Sequence, residues 1–247
     1  MNLPILHDAG GVLAVAKPAG LATQAPAGIP SVESVMRERL FGAAFTSARS
    51  GGHRRHPGGF LGVPHRLDRA VSGVLLLATT PRAARQLSRQ FERREIRKTY
   101  LAVVAPAATD TPHGDGSFEW RDTIRKVPDE PRAEIVPAGS ADGREAVTIG
   151  RVLPAGDTQP LPDTATLLVE LEPLTGRMHQ LRAQSASRGL PVVGDTLYGG
   201  RPLGDADSEA IALHAWRITF RDPATADEVT ITCPPPSRPP WHSPSLS

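Results

Sequence analysis

Asp68 sits in the pentapeptide His65-Arg66-Leu67-Asp68-Arg69, a carboxylate among two arginines and a histidine, just ahead of Ser72-Gly73 and an apolar run. Flanking guanidiniums favour the ionised form of an acid, and an ionised, partly desolvated carboxylate is a nucleophile or a base. The same five residues also fit an acid paired with arginine on a turn before a strand. A second group is Thr175-Gly-Arg-Met-His-Gln-Leu-Arg182. Its glycine-led turn opens a predicted helix, whose first N–H groups favour anions. Arg177 lies at that end, His179 and Arg182 share a face, and Met178 and Leu181 are left for the core. This pattern fits a phosphate or carboxylate clamp, and also a solvated helix surface. A third group is Lys98-Thr-Tyr100, where strand alternation puts Lys98 and Tyr100 on one face. The tyrosine offers a ring on which a base can stack and a hydroxyl for a proton, or it is an ordinary strand tyrosine at the core edge.

Short elements must hold these groups. Val12 to Ala16 reads as a buried strand that ends at Lys17-Pro18 and a turn at Gly20. Ser31 is placed to cap a helix carrying Val32, Val35, Met36 and Leu40 on one side. Gly73 to Ala78 is an apolar run of strand length. Thr80-Pro81 then starts a helix with Ala84, Leu87 and Phe91 inward and Arg85, Arg89, Arg93 and Arg94 elsewhere. Strands are predicted over 99–105, 146–153, 166–172, 216–220 and 229–232, and a helix over 178–188 that stops at Gly189. The stretch 106–143 is polar, with only strand-like scraps such as Ser117 to Trp120. About seven strands to three or four helices, with hairpin-like spacing in the second half, point to an α+β fold: a mixed, largely antiparallel sheet flanked by helices. One domain is expected over 1–235, with a flexible basic loop at about 42–62 and a Pro/Ser-rich tail at 236–247.

Composition narrows the field. The chain has 247 residues, 22% of them charged and 39% hydrophobic, which suffices for a packed core. Glycine and proline number 23 and 25, too many for a helical bundle or coiled coil. The single cysteine, Cys233, excludes an internal disulfide framework and a multi-cysteine metal site, and it fits a reducing, cytoplasmic setting. The N-terminus lacks the basic start and apolar core of a secretory signal, and no apolar run approaches the ~18 residues of a membrane span. The formal charge is only +2, but 25 of the 28 basic residues are arginine and their placement is uneven. From Arg82 to Lys98 there are seven basic residues and two acids, Glu92 and Glu95. From Arg49 to Arg69 there are five arginines against Asp68 alone. Such a footprint suits a polyanion, although a GC-rich coding sequence also raises arginine.

Taken in order, the blocks resemble the RluA-type pseudouridine synthase family. They run from Val12-Leu-Ala-Val-Ala-Lys-Pro-Ala-Gly-Leu21 through His65-Arg-Leu-Asp-Arg-Ala-Val-Ser-Gly73 and Lys98-Thr-Tyr100. They continue with Thr175 to Arg182, Gly189-Leu-Pro-Val-Val-Gly-Asp-Thr-Leu-Tyr-Gly199 and Leu213-His-Ala215. The resemblance implies a pseudouridine synthase fold with a central catalytic cleft and an RNA substrate, ribosomal or transfer RNA. It implies Asp68 as the catalytic aspartate, Tyr100 as the active-site tyrosine, Arg182 as the basic partner of the aspartate, and Arg66 as the arginine that fills the space of a flipped base. His65, Arg69, Lys98, Arg177, His179 and Gln180 are the expected further RNA contacts. No cofactor or metal and a monomer are expected, and with few residues ahead of Val12 the chain resembles members without an N-terminal RNA-binding module. The sequence departs from the family at Met178, usually threonine, and at Ala183-Gln184, usually Val-His, which bears on substrate choice more than on reaction type. A metal-dependent hydrolase using His65, Asp68, His179, Asp195 and His214, and an inactive RNA-binding relative, are the competing readings.

Overall fold

The computed structural model describes residues 1–42, 59–106, 116–153, 166–204, 209–237 and 241. Most of the basic loop, the loop between the strands near 153 and 166, and nearly all of the tail lie outside the described residues. The chain forms two compact units, Met1–Ile96 with Arg217–Cys233, and Arg97–Trp216 with Pro234–Ser247.

In the first unit, β1 (Ile5–Ala9) and β2 (Val12–Lys17) form an antiparallel hairpin, and β2 pairs antiparallel with β3 (Ser72–Ala78). Gly10 and Gly11 make the hairpin turn with φ of 61° and 81°, a conformation that costs glycine little. Every residue of β3 is buried, which is why its sequence is a continuous apolar run rather than an alternation. Helix α1 (Val32–Phe41) starts at Ser31, whose hydroxyl accepts from Ser34 N–H while the Ser34 hydroxyl accepts from Ser31 N–H. Helix α2 (Pro81–Glu92) starts at Thr80, with proline in its first turn, and buries Ala83, Leu87 and Gln90. The Gln90 amide clasps the backbone of Arg221, donating to its carbonyl and accepting from its N–H. The end of β9 (Leu213–Arg221) pairs antiparallel with β10 (Glu228–Thr232).

In the second unit, β4 (Arg97–Val104), β5 (Ser117–Lys126), β6 (Ala133–Val136), β7 (Arg144–Val152) and β8 (Leu167–Pro173) lie in the order β4-β8-β7-β5-β6, each pair antiparallel. Helix α3 (Gln180–Ser187) covers this sheet through Ala183, which joins Ile124, Ala133 and Ala146 in a buried cluster. The architecture is the expected α+β one of largely antiparallel strands flanked by helices. Two strands escaped the sequence reading entirely, and β5 shows in it only as scraps at its Ser117 to Trp120 end. β1 is mostly exposed, and β6 is a four-residue strand in a polar stretch, so neither has an apolar signature. α3 begins two residues later than predicted because His179 adopts a left-handed conformation, φ 50°, at the N-cap. Met178, assigned to the core from the sequence, is exposed, since it lies in the turn ahead of the helix rather than on its inner face.

Candidate active site

In the first unit, the segment bearing Asp68 is tied on both sides of the aspartate. The Thr23 hydroxyl donates to Leu67 C=O (2.8 Å) and accepts from Leu67 N–H (3.1 Å). Val71 N–H closes a turn on Asp68 C=O at 3.1 Å. Gly20 N–H donates to Arg69 C=O at 2.8 Å, and Arg69 Nε donates back to Gly20 C=O at 3.0 Å. Beneath this turn lies Lys17, 2% exposed, whose Nζ donates to the carbonyls of Pro18 (3.0 Å), Arg69 (3.1 Å) and Val71 (2.6 Å). Three donors on an ammonium are thereby matched to three acceptors. Burial pulls the Lys17 pKa down to about 8, while the Asp68 carboxylate pulls it back up. Lys17 ends β2 opposite Gly73 near the start of β3, so the register of the β2–β3 pair sets the ammonium under the turn.

His65, at the head of the same segment, stacks on Phe91 of α2 with ring centroids 4.5 Å apart. Its Nε2 accepts from Leu76 N–H at 2.9 Å, which fixes the tautomer with the proton on Nδ1 when the ring is neutral. The side chain is built into the fold at this nitrogen. Arg66 and Arg69 are exposed and Asp68 is half-buried.

In the second unit, Tyr100 lies on β4 opposite Leu171, half-buried like Lys98 two residues earlier. Arg182 is 6% exposed and forks onto Asp195, Nε to Oδ2 at 2.6 Å and Nη2 to Oδ1 at 2.8 Å. Its guanidinium carbon also stands 5.0 Å from the centre of the Tyr198 ring. The Tyr198 hydroxyl meets His179 Nδ1 at 3.0 Å and both the N–H and the C=O of Ala133. A planar fork on a carboxylate with an aromatic underneath leaves Arg182 little freedom of orientation.

Gln180 is buried and saturated. Its Oε1 accepts from the Thr175 hydroxyl and Arg177 N–H, and its Nε2 donates to Val147 C=O and the Thr148 hydroxyl. All four hydrogen-bonding positions of the amide are used, so Gln180 anchors the turn before α3 to β7 and has nothing left to offer an RNA. Arg177 Nε donates to Glu145 C=O. The family departures are also accounted for locally. Ala183 is in the apolar cluster, and Gln184 accepts from Thr148 and donates to Asp122.

The structure thus places Asp68, Arg66, His65 and Arg69 in the first unit, and Tyr100, Lys98, Arg177, His179, Gln180 and Arg182 in the second. Sequence reasoning gave no role to Lys17 beyond ending a strand, nor any to Thr23, and it gave Asp195 and Tyr198 no part beside Arg182. Lys17, Asp195 and Tyr198 do fall inside blocks that carried the resemblance, which is the signal that marked them. Among the described residues, no group of three His, Cys, Asp or Glu side chains is placed to hold a metal ion. His214 is buried, with its ring edge-on to Trp241.

Comparison with known proteins places the chain among relatives. The family model described as RNA pseudouridylate synthase matches residues 11–187. An uncharacterized RNA pseudouridine synthase of Synechocystis sp. is 31% identical over 96% of this chain and 74% of its own length. The dual-specificity RNA pseudouridine synthase RluA of Haemophilus ducreyi is 34% identical over 72% of this chain and 75% of its own. Among solved structures, human RNA pseudouridylate synthase domain containing 1 superposes with a TM-score of 0.69 at 26% identity, covering 98% of this chain and 88% of that one. The chain belongs to the RNA pseudouridylate synthase family, on the RluA-type branch, and is an isomerase that converts uridine in RNA to pseudouridine.

Proposed function

We propose that this isomerase acts on a defined uridine of ribosomal or transfer RNA, using the Asp68 carboxylate as its catalytic group. The reaction breaks the bond between ribose C1′ and uracil N1 and forms one between C1′ and C5. N1 gains a proton and C5 loses one, so nothing is oxidised or reduced. The target base must leave its stack, at a cost of a few kcal/mol; the exposed Arg66, two residues from Asp68, is suited to fill the gap. Tyr100 stacks the uracil and assists removal of the C5 proton. Arg182, whose guanidinium Asp195 already orients, is the proposed basic partner of the catalytic carboxylate. Arg69, Lys98, Arg177 and His179 supply RNA contacts.

The observation that carries the reading is the anchoring of the Asp68 turn. An acid held by backbone bonds on both flanks, above a buried ammonium, is preorganised before substrate arrives. A purely structural acid on a turn needs no such scaffold. The test is to map pseudouridines in total RNA from cells with and without this protein. The reading expects loss of at least one site in ribosomal or transfer RNA. Identical maps would refute it.

A further inference from the structure

Helix α2 carries a row of arginines that the catalytic chemistry does not use. Arg82, Arg85, Arg89 and Arg93 follow one another at intervals of three and four residues, so they form a stripe along one side of the helix. The opposite side is the docked one, buried through Ala83, Leu87 and Gln90, which leaves the stripe facing outward and exposed. At about 1.5 Å per residue it extends roughly 16 Å.

Part of the stripe works against the stability of its own helix, although Arg89 in the last turn suits the helix dipole. Arg82 occupies the first turn, where the helix dipole disfavours a cation, and no acid is present in that turn. Arg85 and Arg89 are a like-charge pair four residues apart, which is also unfavourable. Arg82, Arg85 and Arg89 make no ion pair or side-chain hydrogen bond with any described residue, and Arg93 reaches only Glu95, at 3.9 Å. Four arginines of the second unit, on its strands or the β5–β6 turn, are treated differently. Arg121 pairs with Glu119 and Glu145, Arg125 with Glu134, Arg132 with Glu130 and Arg151 with Glu170. A general excess of arginine explains both sets equally and so explains neither the pairing of one nor the open charge of the other.

We infer that the arginine stripe of α2 is a docking surface for the phosphate backbone of the RNA, outside the groups that touch the reacting uridine. The inference rests on the reading of the substrate as RNA. The helix is also mechanically joined to the catalytic segment, because Phe91 of α2 stacks on His65, three residues from Asp68. Backbone held on the stripe therefore has a fixed relation to the turn that carries the carboxylate.

The test uses fluorescently labelled, unfractionated tRNA and anisotropy titrations of the full chain across salt concentration. Three proteins are compared: the unaltered protein, the triple variant R82Q/R85Q/R89Q, and the control R121Q/R125Q/R132Q, which loses the same formal charge from paired positions. Glutamine has nearly the helix propensity of arginine, and circular dichroism checks that α2 survives. The salt dependence of log K should flatten by about 2 to 3 in the stripe variant, with binding weaker by about 10- to 100-fold at 0.1 M salt. The control should change the slope by less than about 1. Equal effects of the two variants overturn the stripe while leaving RNA binding intact. An unaltered protein with no salt-dependent binding overturns the RNA reading itself. Loss of binding to phosphatidylserine-containing vesicles by the stripe variant, with tRNA binding unchanged, assigns the surface to a membrane and overturns the inference.

Discussion

Replacing Lys17 by methionine separates the cost of its charge from the benefit of its hydrogen bonds. The folded chain lowers the Lys17 pKa from 10.5 to about 8, with burial as the main cause. At about 1.36 kcal/mol per pKa unit, carrying that proton in the folded state costs about 3 kcal/mol at neutral pH. The ammonium in turn satisfies the carbonyls of Pro18, Arg69 and Val71. Arg69 C=O also accepts from Gly20 N–H, so the methionine variant chiefly strands Val71 C=O. One buried unsatisfied acceptor costs about 1–3 kcal/mol. Near pH 7 the two effects offset, and the variant should lie within about 2 kcal/mol of the unaltered protein. The pH dependence is the sharper signature. Because the folded pKa lies below the unfolded one, the unfolded chain binds more protons between them, and stability rises with pH from about 8 to 10.5. This contribution is complete above the unfolded pKa and is lost as pH falls through the folded one. Burial of Cys233, which raises its thiol from 9.0 to about 11, acts in the opposite sense over much of that window. Urea denaturation of both proteins at several pH values from 7 to 10, read as a difference, cancels the cysteine and every other shared group. The stability of the unaltered protein relative to the variant should climb by up to about 1.4 kcal/mol per pH unit above pH 8. A flat difference would refute the placement of a charged, desolvated Lys17 under the Asp68 turn.

Two further outcomes follow from the same contacts. Asp68→Asn removes the carboxylate that raises the Lys17 pKa, so the Lys17 titration should move below about 8; NMR of labelled lysine, of which the chain has three, reads this directly. Asp195→Ala strands a buried guanidinium and should destabilise the fold by about 3–5 kcal/mol in urea unfolding. Adding Arg182→Met to that variant should recover much of the loss, whereas additive losses would contradict the fork.

The sequence announced what has local periodicity or a motif of its own. The fully buried β3, the Thr80 cap with Pro81, and the serine-capped α1 each carry a signature within a dozen residues. β6 has none, because a short half-exposed strand is stabilised by its neighbour β5 rather than by its own pattern. His179 illustrates a different limit. Its left-handed backbone and its bond to Tyr198, nineteen residues away, depend on tertiary contacts that spacing on an ideal helix does not contain. Gln180 looked like a polar side chain available to a ligand, yet four partners from two segments consume it. Lys17 looked like the end of a strand, and only the pairing of β2 with β3 turns it toward the carbonyls around Asp68. Residue identity thus marked the candidate positions, and long-range pairing decided which were spoken for by the fold.

If the carboxylate at position 68 performs the isomerisation, its removal abolishes turnover without abolishing RNA binding. Purified protein and its Asp68→Asn variant, incubated with unmodified ribosomal and transfer RNA transcripts, allow pseudouridine formed per enzyme to be counted while RNA affinity is measured in parallel. The variant should form no pseudouridine while still binding RNA. Near-normal turnover by the asparagine variant would contradict that role of the carboxylate.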